Sequence, residues 1–199
     1  VEPENMNCVG ASFAAEKITK IERKYSIADG LAGDSPGEKA FEGVIKNVDE
    51  MNKILIRNWN SYITELDEIY ILGDFLFKGT GGQANAILNT LKGKKYLIRG
   101  NHDKFLNDEN FDMSAFEWVK DYFVLNYKKM KFVLFHYPIL EWDGFFKDSV
   151  HLYGHVHNSG KDPGQNKRLS VLKNKAFNVG VDVNNFFPVS IETIIKKQQ

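Results

Sequence analysis

Cysteine is nearly absent from this chain: Cys8 is the only one, so no disulfide can form within it, and a reducing compartment is the natural setting. Net charge is absent too. Lys+Arg and Asp+Glu both number 26, so no global field gathers nucleic acid or an anionic membrane, and an anionic substrate must be held by a local site. No apolar stretch approaches the roughly 18 residues of a membrane span, and the first thirty residues lack a signal-peptide core. A cytoplasmic protein with no membrane partner is expected, although a chain that begins at Val1 is open to being a fragment or a processed form. Histidine is scarce, with five in all, and none precedes His102.

What is present is enough apolar material for one sizeable core. With 199 residues, 43% of them hydrophobic, a single domain over residues 1–199 is the expectation. Residues 1–24 are read as a loosely attached arm, with an amphipathic helix over Phe13 to Tyr25 as the alternative. Short apolar runs alternate with helix-like stretches, which is an α/β pattern. The runs are Tyr25 to Ala28, Ile69 to Leu72, Tyr96 to Ile98, Tyr122 to Leu125, Phe132 to Phe135, Val150 to Tyr153, Phe177 to Val181 and Val189 to Ile195. Several are continuous rather than alternating in hydrophobicity, so burial on both faces is predicted. The clearest helix spans Val48 to Tyr62, with Val48, Met51, Leu55 and Trp59 on one face and Asn47 and Glu50 at capping-box spacing. A second is predicted over Gln83 to Leu91, ended by Gly93, and Lys128 to Lys131 reads as a tight connection between antiparallel strands.

The polar residues fall at telling places. Ile69 to Leu72 leads into Gly73-Asp74, and Tyr96 to Arg99 leads into Gly100-Asn101-His102-Asp103. Phe132 to Phe135 leads into His136, and Val150 to Tyr153 leads into Gly154-His155-Val156-His157. Ligands of open α/β sheets gather beyond the carboxyl ends of strands, so these four turns are expected to meet in one crevice. In extended backbone His155 and His157 would point the same way. Asp, Asn and His without cysteine suit Mn²⁺, Fe²⁺, Zn²⁺ or Mg²⁺ in an open catalytic site rather than a closed structural zinc site. Two such ions roughly 3.5–4 Å apart would lower the pKa of a shared water and allow in-line hydrolysis of a phosphate ester.

Taken one at a time, these residues have plainer readings. A Gly-Asp after a strand is an ordinary turn, and a lone His136 is an ordinary structural histidine. Their occurrence together, in order, is what carries weight. His151 has no matching role and is read as structural. Arg99 could reach a phosphate or pair with a carboxylate. Trp142, Phe145 and Phe146 could pack the core, wall a pocket or stack a nucleobase. Asp182 and Asn184 are expected to fix a turn behind the site.

The four blocks resemble the calcineurin-like metallophosphoesterases, in particular small bacterial and phage-type members, whose pattern runs D-x-H, G-D, G-N-H-D/E, a lone His, then G-H-x-H. The resemblance covers about Asn47 to Ile194. It implies a two-sheet β-sandwich flanked by helices, a four-layer fold, and a metal-dependent phosphoesterase acting on a phosphodiester in preference to a monoester. It further implies that Asp74 bridges two ions, that Asn101, His136 and His155 complete one site, and that His157 belongs to the other. His102 would contact the phosphate and protonate the leaving oxygen, with Asp103 orienting its ring. The first block departs from the family: Asp29 is present after Lys24 to Ala28, but Leu31 stands where the histidine belongs. One tightly held ion and a weaker second beside Asp29 and His157 are therefore expected. Nucleotide-derived phosphates are among the compatible substrates. A non-catalytic scaffold that binds a protein partner is the competing class, and retention of His102 argues against it.

Overall fold

The computed structural model of the chain describes residues 24–27, 48–157 and 169–198. Of residues 1–24, expected to form an arm, Lys24 begins a strand and residues 1–23 lie outside the described residues, as do Asn47 and the first motif with Asp29 and Leu31. The chain forms a mixed α/β structure with two sheets and three α-helices among the described residues. Strands β1 (Lys24–Ile27), β2 (Glu68–Ile71), β3 (Lys94–Ile98) and β4 (Trp118–Lys120) run parallel. With the antiparallel β9 (Val189–Ser190) they give a first sheet in the order β4-β3-β2-β1-β9. Strands β5 (Tyr122–Tyr127), β6 (Met130–Phe135), β7 (Ser149–Tyr153) and β8 (Ala176–Asn178) form the second, in that order. Its β5-β6 pair is an antiparallel hairpin, and β6, β7 and β8 are parallel.

The continuous apolar runs are explained by burial on both sides. In β2 and the residue after it, Ile69 and Ile71 turn to one face and pack with Met51, Leu55, Trp59 and Ile63. Tyr70 and Leu72 turn to the other and share a core with Phe132, Leu134, Val150 and Leu152 of the second sheet. The first sheet thus has helices α1 (Val48–Tyr62) and α2 (Gly81–Leu88) on one side and the second sheet on the other. The four-residue spacing of Met51, Leu55, Trp59 and Ile63 produces the stripe that docks α1, and Trp59 Nε1 fixes it by donating to the Lys92 carbonyl (3.0 Å). Among the described residues, the outer face of the second sheet is covered by Trp142, Leu172 and neighbours from loop and 3-10 segments rather than by an α-helix.

Several expectations need correction. The run Val189 to Ile195 is a strand for two residues only, after which Ile191–Gln198 form helix α3. The buried Ile191 and Ile194 sit at helical spacing, and α3 closes the end of the core shared by the sheets. Helix α2 starts earlier than expected, at Gly81, because Thr80 and Gln83 form a full capping box, and it ends at Leu88. The run Phe177 to Val181 is a strand only to Asn178; Val181–Val183 form a 3-10 turn. Strand β4 has too short a run to be read from sequence. Among the described residues no helix is long and apolar enough to cross a membrane.

Candidate functional site

The carboxyl ends of β2, β3, β6 and β7 lie together, and each delivers one of the residues singled out in the sequence. Gly73 and Gly100 make that approach possible. A Cβ on Gly73, whose φ is +87°, would stand 2.4 Å from His136 Nδ1 and 2.6 Å from Gly100 Cα. One on Gly100 would stand 2.3 Å from the backbone N of Asp74. The two turns interlock where only glycine fits.

Asp103 locks them. Its buried carboxylate accepts from the backbone amides of Phe75 (2.7 Å), Gly100 (2.8 Å) and Asp74 (3.0 Å). Burial pushes this carboxyl above its usual range, the amide of Gly100 opposes that, and the charge of Asp74 adds to it. Asp103 is expected to orient the His102 ring; the contacts seen are its bonds to these backbone amides, and the His102 ring packs against Phe77 in a T-shaped pair, with centroids 4.6 Å apart.

The grip on Asp74 holds a residue at φ +52°, with its side chain turned into the crevice. Asp74 Oδ1 accepts from the His102 amide (2.8 Å), and Oδ2 lies 3.5 Å from His136 Nε2. Burial raises its pKa, but His136 and the His102 amide outweigh that and keep it below the ordinary carboxylate value. His136 is wholly buried, and its Nδ1 lies 2.7 Å from the Leu72 carbonyl, which can only accept; Nδ1 therefore carries a proton. In the neutral ring Nε2 then presents a lone pair to Asn101 Oδ1, 2.9 Å away, and to Asp74 Oδ2. With the ring in that form, three lone-pair atoms converge and could hold a cation between them.

His155 supplies a fourth. One ligand atom each from Asp74, His136 and His155 lie within 4.8 Å of one another, a group that could hold a metal ion once the side chains draw in to bonds of about 2.0–2.2 Å. Its ring packs 5.0 Å from that of His136, and burial, with His136 beside it, lowers its pKa and favours the neutral, metal-binding form. The donor set fits a borderline or hard divalent cation.

The backbone at His155 differs from the extended form expected. Its φ is +67°, and Val156 N donates to the Gly154 carbonyl (2.8 Å), a γ-turn of the rare, strained kind. His155 and His157 therefore do not share one strand face. His157 Nδ1 lies instead 3.5 Å from Oδ2 of the buried Asp182 side chain. Asn178 Nδ2 donates to the Val156 carbonyl (2.8 Å), and Asn184 Nδ2 donates to the carbonyls of Gly180 and Asn178. Asn184 thus fixes a turn as expected. The contact of Asp182 with His157 was not foreseen, because 25 residues separate them and no local pattern marks it.

The remaining candidates sort themselves. Arg99 pairs with Asp121 (3.6 Å), and both side chains are largely exposed. His151 is buried between the carbonyls of Val133 (3.0 Å) and Tyr137 (3.1 Å), a structural role, as its isolation from the motifs suggested. Trp142 is buried and donates to Ser149 Oγ (3.0 Å), whereas Phe146 is exposed beside a different hollow, lined by Lys129, Lys147 and Lys175. The aromatic ring that does stand at the site is one the sequence reading passed over, Tyr137, 4.5 Å from His155 and 4.7 Å from His136.

No protein-family model matches this sequence. The chain is 37% identical over 155 residues to the uncharacterized protein MJ1445 of Methanocaldococcus jannaschii, covering 75% of this chain and 76% of that one. A shorter stretch of 59 residues is 37% identical to the gene 66 protein of Mycobacterium phage L5, covering 29% of this chain and 28% of the phage protein. Among solved structures, a protein of unknown function from Aquifex aeolicus, AQ665, superposes with a TM-score of 0.64 at 22% identity. It covers 88% of this chain and 99% of its own, a likeness of fold alone. YfcE, a phosphoesterase from E. coli, matches with a TM-score of 0.37 at 15% identity over 79% of this chain and 78% of its own. Identity and coverage with the archaeal protein decide the relationship: this chain belongs to the family of Methanocaldococcus jannaschii MJ1445.

Proposed function

We propose that this chain is a metal-dependent phosphoesterase of the calcineurin-like type, acting on a phosphodiester. The observation that carries the reading is the meeting of Asp74, Asn101 and His136, with His155 alongside, at the ends of four strands. Asp74, Asn101, His136 and His155 would hold the tighter ion, and His157 with Asp29 a weaker one, with manganese the first metal to test. A divalent ion bound there supplies Lewis-acid polarisation of a phosphoryl oxygen and a lowered water pKa.

The chain's own groups would do the rest. His102 lies beside Asp74, with its ring steadied by Phe77, and in this reading it protonates the departing oxygen. Asp103 acts at one remove, by fixing the backbone that presents both Asp74 and His102. His157 is placed by Asp182. Arg99 has no part in this scheme, being engaged by Asp121. A diester carries less negative charge than a monoester dianion and so asks less of cationic side chains around the ion. The two sheets facing each other, with helices on one side, accord with the sandwich such enzymes use.

Purified protein assayed with bis-p-nitrophenyl phosphate and p-nitrophenyl phosphate, with Mn²⁺ and other divalent ions, tests the reading. Metal-dependent turnover favouring the diester is expected, lost in EDTA and in His136→Ala together with bound metal. No turnover of either ester with any metal would overturn it in favour of a partner-binding scaffold.

A further inference from the structure

A row of aromatic rings leads away from the metal-binding cluster along the end of the second sheet. Tyr137 lies with its centroid 4.5 Å from His155 and leaves 38% of its surface exposed. Phe135 follows at 5.7 Å from Tyr137, and Tyr122, the cross-strand partner of Phe135, at 6.3 Å from Phe135 with 42% exposed. Burial elsewhere takes most large rings out of water, so two part-exposed tyrosines joined through Phe135 and starting at a metal-binding histidine need a reason. Neither tyrosine is needed to close the core, since neither belongs to the buried clusters of the fold.

We infer that this ledge is a base-binding subsite, with Tyr137 stacking the nucleobase of a nucleotide phosphodiester whose phosphate lies at Asp74, His136 and His155. The inference rests on the phosphoesterase reading. Flat aromatic faces bind nucleobases by stacking without selecting among them, so the substrate class is a nucleotide or nucleic-acid end rather than one named base. The net charge of zero fits this division, because the phosphate is gripped at one point and the base by apolar contact, with no field along a strand. The nucleobase role that the sequence allowed for Trp142 to Phe146 thus falls to a different set of rings, since Trp142 is core and Phe146 stands at another hollow.

The test compares two esters with one leaving group: thymidine 5′-(p-nitrophenyl) phosphate and methyl p-nitrophenyl phosphate. The nucleoside ester is expected to have at least about tenfold higher kcat/KM, the scale of one stacked base. Tyr137→Ala should remove about tenfold of that preference, and Tyr137→Phe should keep it. A ring that merely buttressed His136 and His155 would lower both esters alike on removal, so an unchanged ratio in Tyr137→Ala overturns the subsite. If neither ester turns over, the phosphoesterase reading fails, and the ledge is judged by equilibrium dialysis of thymidine 5′-monophosphate. Binding weakened about tenfold by Tyr137→Ala would then support it, and equal or undetectable binding to both proteins would overturn it.

Discussion

Asp103 has both carboxylate oxygens committed to backbone amides of two turns that are 28 residues apart in sequence. Replacing it by Ala would leave three amide donors without that acceptor, each worth about 1–3 kcal/mol when buried and unsatisfied. Asp103→Ala is expected to cost at least about 3 kcal/mol in urea unfolding and to lower bound metal, because the Asp74 amide is among those released. Were its role only to steer the His102 ring, stability would stay and kcat alone would fall. His102 gives the opposite pattern. Its backbone amide, not its ring, holds Asp74, so His102→Ala keeps that bond and should leave metal stoichiometry near wild type. If the ring protonates the leaving oxygen, kcat should fall roughly 10²–10⁴-fold, and less with better leaving groups. An emptied metal site in His102→Ala, read by elemental analysis, would move this residue among the ligands.

The hairpin between β5 and β6 turns through two lysines with positive φ, Lys128 at 47° and Lys129 at 64°. Two-residue hairpins of this hand normally use Asn-Gly, so the sequence gives little sign of the turn beyond the change from one apolar run to the next. Lys128 has a compensating contact: its Nζ lies 2.8 Å from Glu192 Oε1, which ties the hairpin to α3. Lys129 makes no such bond among the described residues, and it is exposed. Lys129→Gly relieves about 1–2 kcal/mol of left-handed strain and adds back about 0.4–1 kcal/mol of chain entropy. A net stabilisation of about 0.5–1 kcal/mol is expected by urea denaturation, with no change in metal affinity. A loss of stability would show that the Lys129 side chain makes a contact worth more than the strain.

The candidate metal cluster draws on both sheets, Asp74 and Asn101 from the first and His136 and His155 from the second. An ion there would fasten the layers at one end, opposite the turn of the β5-β6 hairpin, and so couple to the stability of the whole molecule. At one hundred times its Kd, Mn²⁺ should stabilise the fold by about 2.7 kcal/mol. For a chain of this size that raises Tm by about 5–10 °C. His136→Ala should abolish the increment, which differential scanning calorimetry with and without EDTA will show. An equal shift in the variant would place the ion elsewhere.

The sequence by itself determined which side chains stand at the ends of β2, β3, β6 and β7, because an apolar run long enough to be buried on both faces must stop where the first polar residues begin. Gly73-Asp74, Gly100-Asn101, His136 and Gly154-His155 are such stops, and their order along the chain could be read with no structure at all. Only the tertiary structure decided what each of them touches. Asp103 looks like a neighbour of His102 in sequence, yet the close approach of Gly73 to Gly100 brings it under the amides of Asp74 and Phe75. His155 and His157 look alike until the γ-turn at His155 separates them and Asp182 takes up His157. Ile191 to Ile195 read equally well as strand or helix from apolar content, and the space at the end of the shared core chose the helix. Periodicity and punctuation are local and therefore legible, whereas partners are set by packing between segments 25 or more residues apart, which no short window of sequence contains.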